Sequence, residues 1–191
     1  MESNAAMPRM TVGALLIAVA SHTVASLAAA GLAAATAVPA SAQEYIETFT
    51  DWTAYQYQEQ DGQGGTGQTC FMVSEAKSHS GPGDDPSRIY ITHRPWRNET
   101  GVVSVKFGFD ANDDAAINAA IGANQFELKT WGTELAWPYD GKDREMVNAM
   151  IRGIDLVVTA SAAGGGATSD TFSLRGFSAA YQEISRTCDV S

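Results

Sequence analysis

The sequence predicts a mainly β fold, an antiparallel β-sandwich or barrel-like domain carrying two helices, and three observations predict it. Apolar residues alternate with polar ones at period two through most of the chain beyond residue 43, as in strands with one buried face. Clusters of Gly, Pro, Asp and Asn interrupt that alternation at short intervals. Only two segments, about 140–152 and 178–187, carry the three-and-four spacing of an amphipathic helix.

In chain order, the first strand is expected over 48–57, followed by a turn from Asp61-Gly62 through Gly67 and a second strand over 69–75. Gly81-Pro82-Gly83 then reverses the chain. Two strands follow with clean alternation: Ile89, Ile91 and His93 against Tyr90, Thr92 and Arg94, and Val103, Val105, Phe107 and Phe109 against Ser104, Lys106 and Gly108. Segments 125–130 and 134–139 flank Trp131-Gly132 as a hairpin. Asp140 is the expected N-cap of the first helix, where Met146, Val147, Met150 and Ile151 share a face and Gly153 supplies the stop. Strands over 154–160 and 168–175 surround Gly164-Gly165-Gly166. Ser178 reads as the cap of the last helix, whose Phe177, Tyr181, Ile184 and Cys188 fall on one side.

The N-terminal 42 residues read as a signal peptide: Arg9, an apolar run from Thr11 to Val38, and the small-x-small site Ala40-Ser41-Ala42. A retained anchor is the competing reading, weakened by Ser21, His22, Thr23 and Ser26. Met7 or Met10 would serve equally well as the start, and no cysteine follows the run to take a lipid. Cleavage leaves residues 43–191 as a single domain, long enough for one hydrophobic core. The chain holds 12 Lys and Arg against 22 Asp and Glu, a net charge of −10. Glu2 and Arg9 cancel, so the mature part keeps that balance. Such a charge opposes binding to nucleic acid and to an anionic membrane face, leaving peripheral association at most.

Two cysteines in an exported chain favour a bridge, so Cys70 and Cys188 are expected to form a disulfide joining the last helix to an early strand. That leaves little for nucleophilic chemistry. His93 lies on the apolar side of its strand and reads as a hydrogen-bonded core histidine. Gly176-Phe177-Ser178 begins like a nucleophile elbow but has Ala180 where glycine is required, and no histidine follows it. The acidic run Asp110 to Asp114 lacks the glycine and distal glutamate of a calcium loop, and Asp84-Asp85-Pro86 reads as a turn. Zinc lacks ligands, the glycine run at 164 precedes neither a helix nor a lysine, and no cofactor is implied. Asn98-Glu99-Thr100 matters as a glycosylation signal only in a eukaryotic host.

Flat amphipathic rings are the better binding candidates. Trp131 at a hairpin tip, and Trp96 in a loop beside Arg94 and Arg97, are expected to be exposed, so Trp96, Arg97 and Trp131 form the candidate binding surface. Trp52 and Trp137 lie within strand patterns and are expected in the core.

The chain resembles the invasion-associated locus B family of exported bacterial proteins. The resemblance rests on Asp51-Trp52-Thr53, Cys70-Phe71-Met72-Val73, Ile91-Thr92-His93-Arg94-Pro95, Phe126-Glu127-Leu128, Ala136-Trp137, Ala149-Met150-Ile151-Arg152-Gly153 and the segment Asp170 to Ala180. It covers nearly the whole mature part. Members often carry a further cysteine soon after the Asp-Trp-Thr segment, where this chain has Tyr55, Gln56 and Tyr57, so a second bridge is absent here. The resemblance implies a periplasmic, outer-membrane-associated or secreted protein without catalytic motif, linked in some pathogens to host-cell entry. The expected role is protein interaction at the envelope or host surface. The alternatives are a carbohydrate-binding module using the exposed tryptophans and, more remotely, an unrecognised hydrolase.

Protein recovered from its own exporting cell is expected to begin at Gln43, and its intact mass to be lighter than the reduced form by two hydrogens. N-terminal sequencing and mass spectrometry without reductant check both; two free thiols would overturn the bridge.

Overall fold

The computed structural model describes residues 42–61 and 63–190; the signal peptide expected over residues 1–42 falls, but for its last residue, outside them. Among these described residues, eleven strands form one antiparallel sheet. The first expected strand, 48–57, proves to be two. Strand β1 (Glu44–Phe49) turns at Thr50 and Asp51 into β2 (Trp52–Gln60), with Phe49 opposite Trp52. No glycine or proline marks this reversal; Thr50 makes it by adopting a left-handed φ of 56°. Asp51 then donates its amide to the carbonyl of Arg175, from the far end of the chain.

Strand β2 pairs with β3 (Thr66–Glu75) over eight residue pairs. The short β4 (Ser78–Ser80) precedes β5 (Arg88–Arg94), which is joined to β6 (Glu99–Lys106) by a single 3-10 turn at Pro95–Arg97. Next come β7 (Ile117–Ile121), β8 (Asn124–Trp131) and β9 (Leu135–Pro138), then α1 (Asp143–Arg152), β10 (Asp155–Ser161), β11 (Ala167–Ser173) and α2 (Phe177–Thr187). The spatial order is β1-β2-β3-β5-β6-β9-β8-β7-β10-β11-β4. The ladder does not close on itself, so the architecture is a sandwich rather than a barrel, with β1 and β4 at its edges. Strand β7 escapes the sequence pattern because Ala119 and Ala120 carry weak strand preference, although Ile117, Ala119 and Ile121 all point into the core.

The core is built where both layers meet α1 and α2. Trp52, Met72, Ile89, Ile91, Leu156, Phe172 and Phe177 are all fully buried. Trp52 packs edge-on to Phe177, with ring centroids 4.9 Å apart at 89°, and donates its indole N–H to the Ser173 carbonyl at 3.0 Å. The expected disulfide is present: Cys70 on β3 and Cys188 after α2 are bonded with Cα atoms 6.0 Å apart, both buried.

Both helix starts differ from expectation. Asp140 does not cap α1; it sits at φ 61° inside a 3-10 turn, Tyr139–Gly141, and the helix begins at Asp143. Asp143 turns its carboxylate to the Val103 amide at 2.8 Å, an outlet on β6 that local sequence does not reveal. Gly176, not Ser178, occupies the N-cap of α2, at φ 89°, where a Cβ would collide with the Phe49 carbonyl. Ser178 instead donates its hydroxyl to the Ile151 carbonyl at 3.3 Å, tying α2 to the end of α1.

The bridge spans 118 residues. Replacing both cysteines by alanine is expected to lower unfolding stability by about 3–5 kcal/mol, the range for so long a loop. Urea titration of the two proteins measures it, and equal midpoints would refute it.

Candidate functional site

Among the described residues, chemically competent side chains meet around His93 and around His79, and neither cluster pairs a nucleophile with a base. Cys70 is oxidised, so no thiolate stands beside His93 on the neighbouring strand. His93 is fully buried: Nδ1 accepts the Gly101 amide at 2.9 Å, and Nε2 lies 3.1 Å from the Ser185 hydroxyl. A backbone N–H can only donate, so Nδ1 is unprotonated and the proton is on Nε2. Burial holds the ring neutral and pushes its pKa down to about 4. His93 thus fastens β5 to β6 and α2, as a core histidine should.

The second place has no signature in the sequence. His79 on β4 lies with Nδ1 2.6 Å from Asp170 Oδ1, the Ser87 hydroxyl donates to Asp170 Oδ2 at 2.8 Å, and Ser87 Oγ accepts the Gly108 amide at 3.2 Å. Residues 79 and 170 are 91 positions apart, so spacing could not have joined them. These are the residue types of a serine hydrolase in an unusable order. The carboxylate stands between the other two, and the serine proton points at Asp170 rather than at an imidazole base. The His79 ring faces a carboxylate and, at 3.3 Å, the Pro82 carbonyl; both only accept, so both ring nitrogens donate. The hydrogen bond to Asp170 raises the His79 pKa above its ordinary value and favours the imidazolium. Asp170 is 1% exposed, and the cluster rivets edge strand β4 onto β11.

The acidic loops are turns. Asp110 accepts the Thr133 hydroxyl at 3.0 Å, and the Asn112 side chain accepts the Asp114 amide at 3.0 Å. Among the described residues, no group of three or more His, Cys, Asp or Glu is arranged to hold a metal ion.

The three residues of the expected binding surface do not come together. Trp96 is half-buried in the 3-10 turn: its ring rests on Gly67, where a methyl would overlap it, and the Arg97 guanidinium lies over the ring, 4.6 Å from the centroid. Its N–H reaches Thr69 Oγ1 at 3.4 Å, and Thr69 in turn donates to Glu59, which also takes Arg94. Packed against Gly67 and approached by the Arg97 guanidinium, the Trp96 ring is partly covered within the fold. Trp131, on β8, lies two strands beyond β6 in the sheet order and is 82% exposed, the most open of the large apolar side chains among the described residues.

Trp131 also has company that the sequence did not disclose. On β9 the buried residues are Ala136 and Pro138, so alternation turns Leu135 and Trp137 outward, and Trp137 is half-buried on the outer face rather than in the core. Trp131 pairs with Leu135 across the strands, Lys129 pairs with Trp137, and the Lys129 ammonium sits 5.1 Å from the centroid of the Tyr139 ring, itself 53% exposed. Register was the missing information: in so short a strand the parity of the buried positions decides which way tryptophan points. Trp52, by contrast, is in the core as expected.

The sequence pattern of the family described as Invasion associated locus B (IalB) protein matches residues 52–185, from the start of β2 into α2. No curated protein and no solved structure matches the chain.

The two histidines give stability opposite pH dependences. His93 titrates near 4 in the fold and near 6.5 when unfolded, so only the unfolded chain takes up its proton between those values. Stability therefore falls as pH drops from about 6.5 to about 4, by about 3 kcal/mol in all. His79, with its pKa raised, contributes stability that is complete below 6.5 and is lost as pH climbs through the raised value. Urea unfolding across this range should show the acid-side loss reduced in His93→Gln and the alkaline-side loss reduced in His79→Gln. Parallel profiles for wild type and both variants would refute the assignment.

Proposed function

The chain belongs to the invasion associated locus B family, and on that premise we propose that it is an exported, non-enzymatic envelope protein that works by contact. Its leader, residues 1–42, is removed, and the single domain 43–191 acts in the periplasm, at the outer membrane or outside the cell. Its partner is an envelope or host-surface protein, and the docking face is the outer side of β8 and β9. One observation carries this reading: Trp131 stands 82% exposed on a sheet face that also presents Leu135, Trp137 and Tyr139. A cluster of large rings left in water is what a protein interface later covers.

Charge supports the same class of partner. A net charge of −10 disfavours nucleic acid, and no helix among the described residues is long and apolar enough to cross a membrane. On the Trp131 face, Lys129 is paired with Glu127 and Lys106 with Glu134, so the rim is polar without being strongly of one sign. A hydrolase reading finds its cysteine oxidised and its serine facing a carboxylate. The carbohydrate reading built on Trp96 and Trp131 together requires one platform, and Trp96 is half-buried against Gly67 and Arg97 in a different part of the sheet.

A photoreactive residue placed at Thr133 in the living cell is expected to give a discrete adduct with one envelope or host protein. Trp131→Ala is expected to weaken that complex by about 2 kcal/mol, roughly thirtyfold in Kd. Trp96→Ala should leave affinity unchanged while lowering the melting temperature, because the ring packs within the fold. Adducts from Thr133 indistinguishable from those formed at exposed Asp113 would reject the docking face.

A further inference from the structure

A second outer face is distinct from the one around Trp131. On β3, Cys70 and Met72 point into the core, so Phe71 between them points outward, yet it is only 8% exposed. Its cover is aromatic. Tyr55 stacks on it at 5.2 Å and 16°, Tyr57 meets it edge-on at 6.0 Å, and Tyr90 lies 6.2 Å away at 44°. Tyr45 continues the row by contacting Tyr55 edge-on at 6.0 Å. Four of the chain's six tyrosines thus gather on the outer side of β1, β2, β3 and β5, around one buried phenylalanine outside the main core.

A groove of about 520 Å³ opens beside these rings, with Tyr55, Phe71 and Tyr90 in its wall. Two ion pairs stand along it: Lys77 with Asp51 at 2.7 Å and Arg88 with Glu75 at 2.9 Å. Their charges sum to zero and each is already answered, so the groove offers no net field to an ionic ligand. What it does offer is carboxylate acceptors beside ammonium and guanidinium donors, the arrangement that adjacent hydroxyl groups satisfy. Strands β2, β3 and β5 are hydrogen-bonded on both sides, and no residue of the edge strand β1 lines the groove, so an extended peptide lying in it finds no backbone to pair with. A ligand here must be held by side chains alone, through ring faces and neutral hydrogen bonds. We propose that this tyrosine-lined groove is a binding site for a neutral oligosaccharide, independent of the Trp131 face.

The test uses the exported protein with its disulfide intact, titrated calorimetrically with maltohexaose, cellohexaose, laminarihexaose and the hexamer of N-acetylglucosamine, and with a heparin hexasaccharide as the anionic comparison. At least one neutral hexamer is expected to bind with Kd on the order of 10⁻⁴ M. Tyr90→Ala should weaken it about tenfold or more, the size expected for losing one ring contact. Tyr90→Leu, which keeps apolar bulk, should show a similar loss, and Trp131→Ala none. Thermal unfolding of each variant separates lost binding from lost fold. Absence of binding by all four neutral sugars overturns the proposal, as does affinity unchanged in folded Tyr90→Leu. Binding confined to heparin and abolished by salt overturns the neutral class. Loss of the Thr133 adduct with sugar binding intact would reject the protein-docking face alone.

Discussion

Burial of Trp52 is the constraint on which the rest depends. An indole that leaves water must find an acceptor for its N–H, and the acceptor used is the carbonyl of Ser173, 121 residues away. Satisfying it brings the first hairpin against the last strand. Phe177, four residues on from Ser173, then meets the indole edge-on, and Gly176 passes so close to the Phe49 carbonyl that only glycine fits without displacement. The Asp51 amide closes the same junction by donating to Arg175. One buried ring therefore fixes where the chain begins its fold relative to where it ends.

That junction holds only the start of α2. The Cys70–Cys188 bond holds its other end, and the His93 to Ser185 contact lies between them. A helix fastened at both ends and in the middle closes the inner side of β1, β2, β3 and β5. The outer sides of the sheet are left to face solvent, with aromatic residues at Trp131 and around Phe71. The polar groups buried inside serve cohesion: His93 as a neutral ring, and His79 as a ring whose imidazolium form is favoured by its hydrogen bond to an almost fully enclosed carboxylate. Breaking the second pair leaves an uncompensated buried charge, which makes it a determinant of edge-strand stability rather than a reactive centre. Oxidation of the thiols and the order serine–carboxylate–imidazole leave neither cluster with a nucleophile in contact with a base.

The opposite outcomes for the four tryptophans show how far local pattern reaches. Trp52 follows clear alternation and is buried; Trp131 precedes a glycine at a hairpin tip and is exposed. Trp96 looked like a loop residue, but its environment is Gly67, remote in sequence and empty enough of side chain to accept an indole. Trp137 looked internal, but β9 has four residues, and its parity is set by pairing with β6 and β8. The missed strands follow the same logic. Strand β4 is three residues long and exists because β11 lies beside it, while the turn at Thr50 is enforced by the junction around Trp52 rather than by a turn residue.

By itself, the sequence determined the antiparallel β class, the presence of both helices, the Cys70–Cys188 bridge, the core role of His93 and the family. Each of these rests on periodicity, composition or residue order, which act between near neighbours or on the chain as a whole. Only the tertiary structure decided the outward face of Trp137, the covering of Trp96, the His79–Asp170–Ser87 cluster and the tyrosine groove. Those depend on register and on contacts between residues far apart in the chain, and a one-residue shift in pairing would send the strand residues among them, such as Trp137, to the opposite side of the sheet.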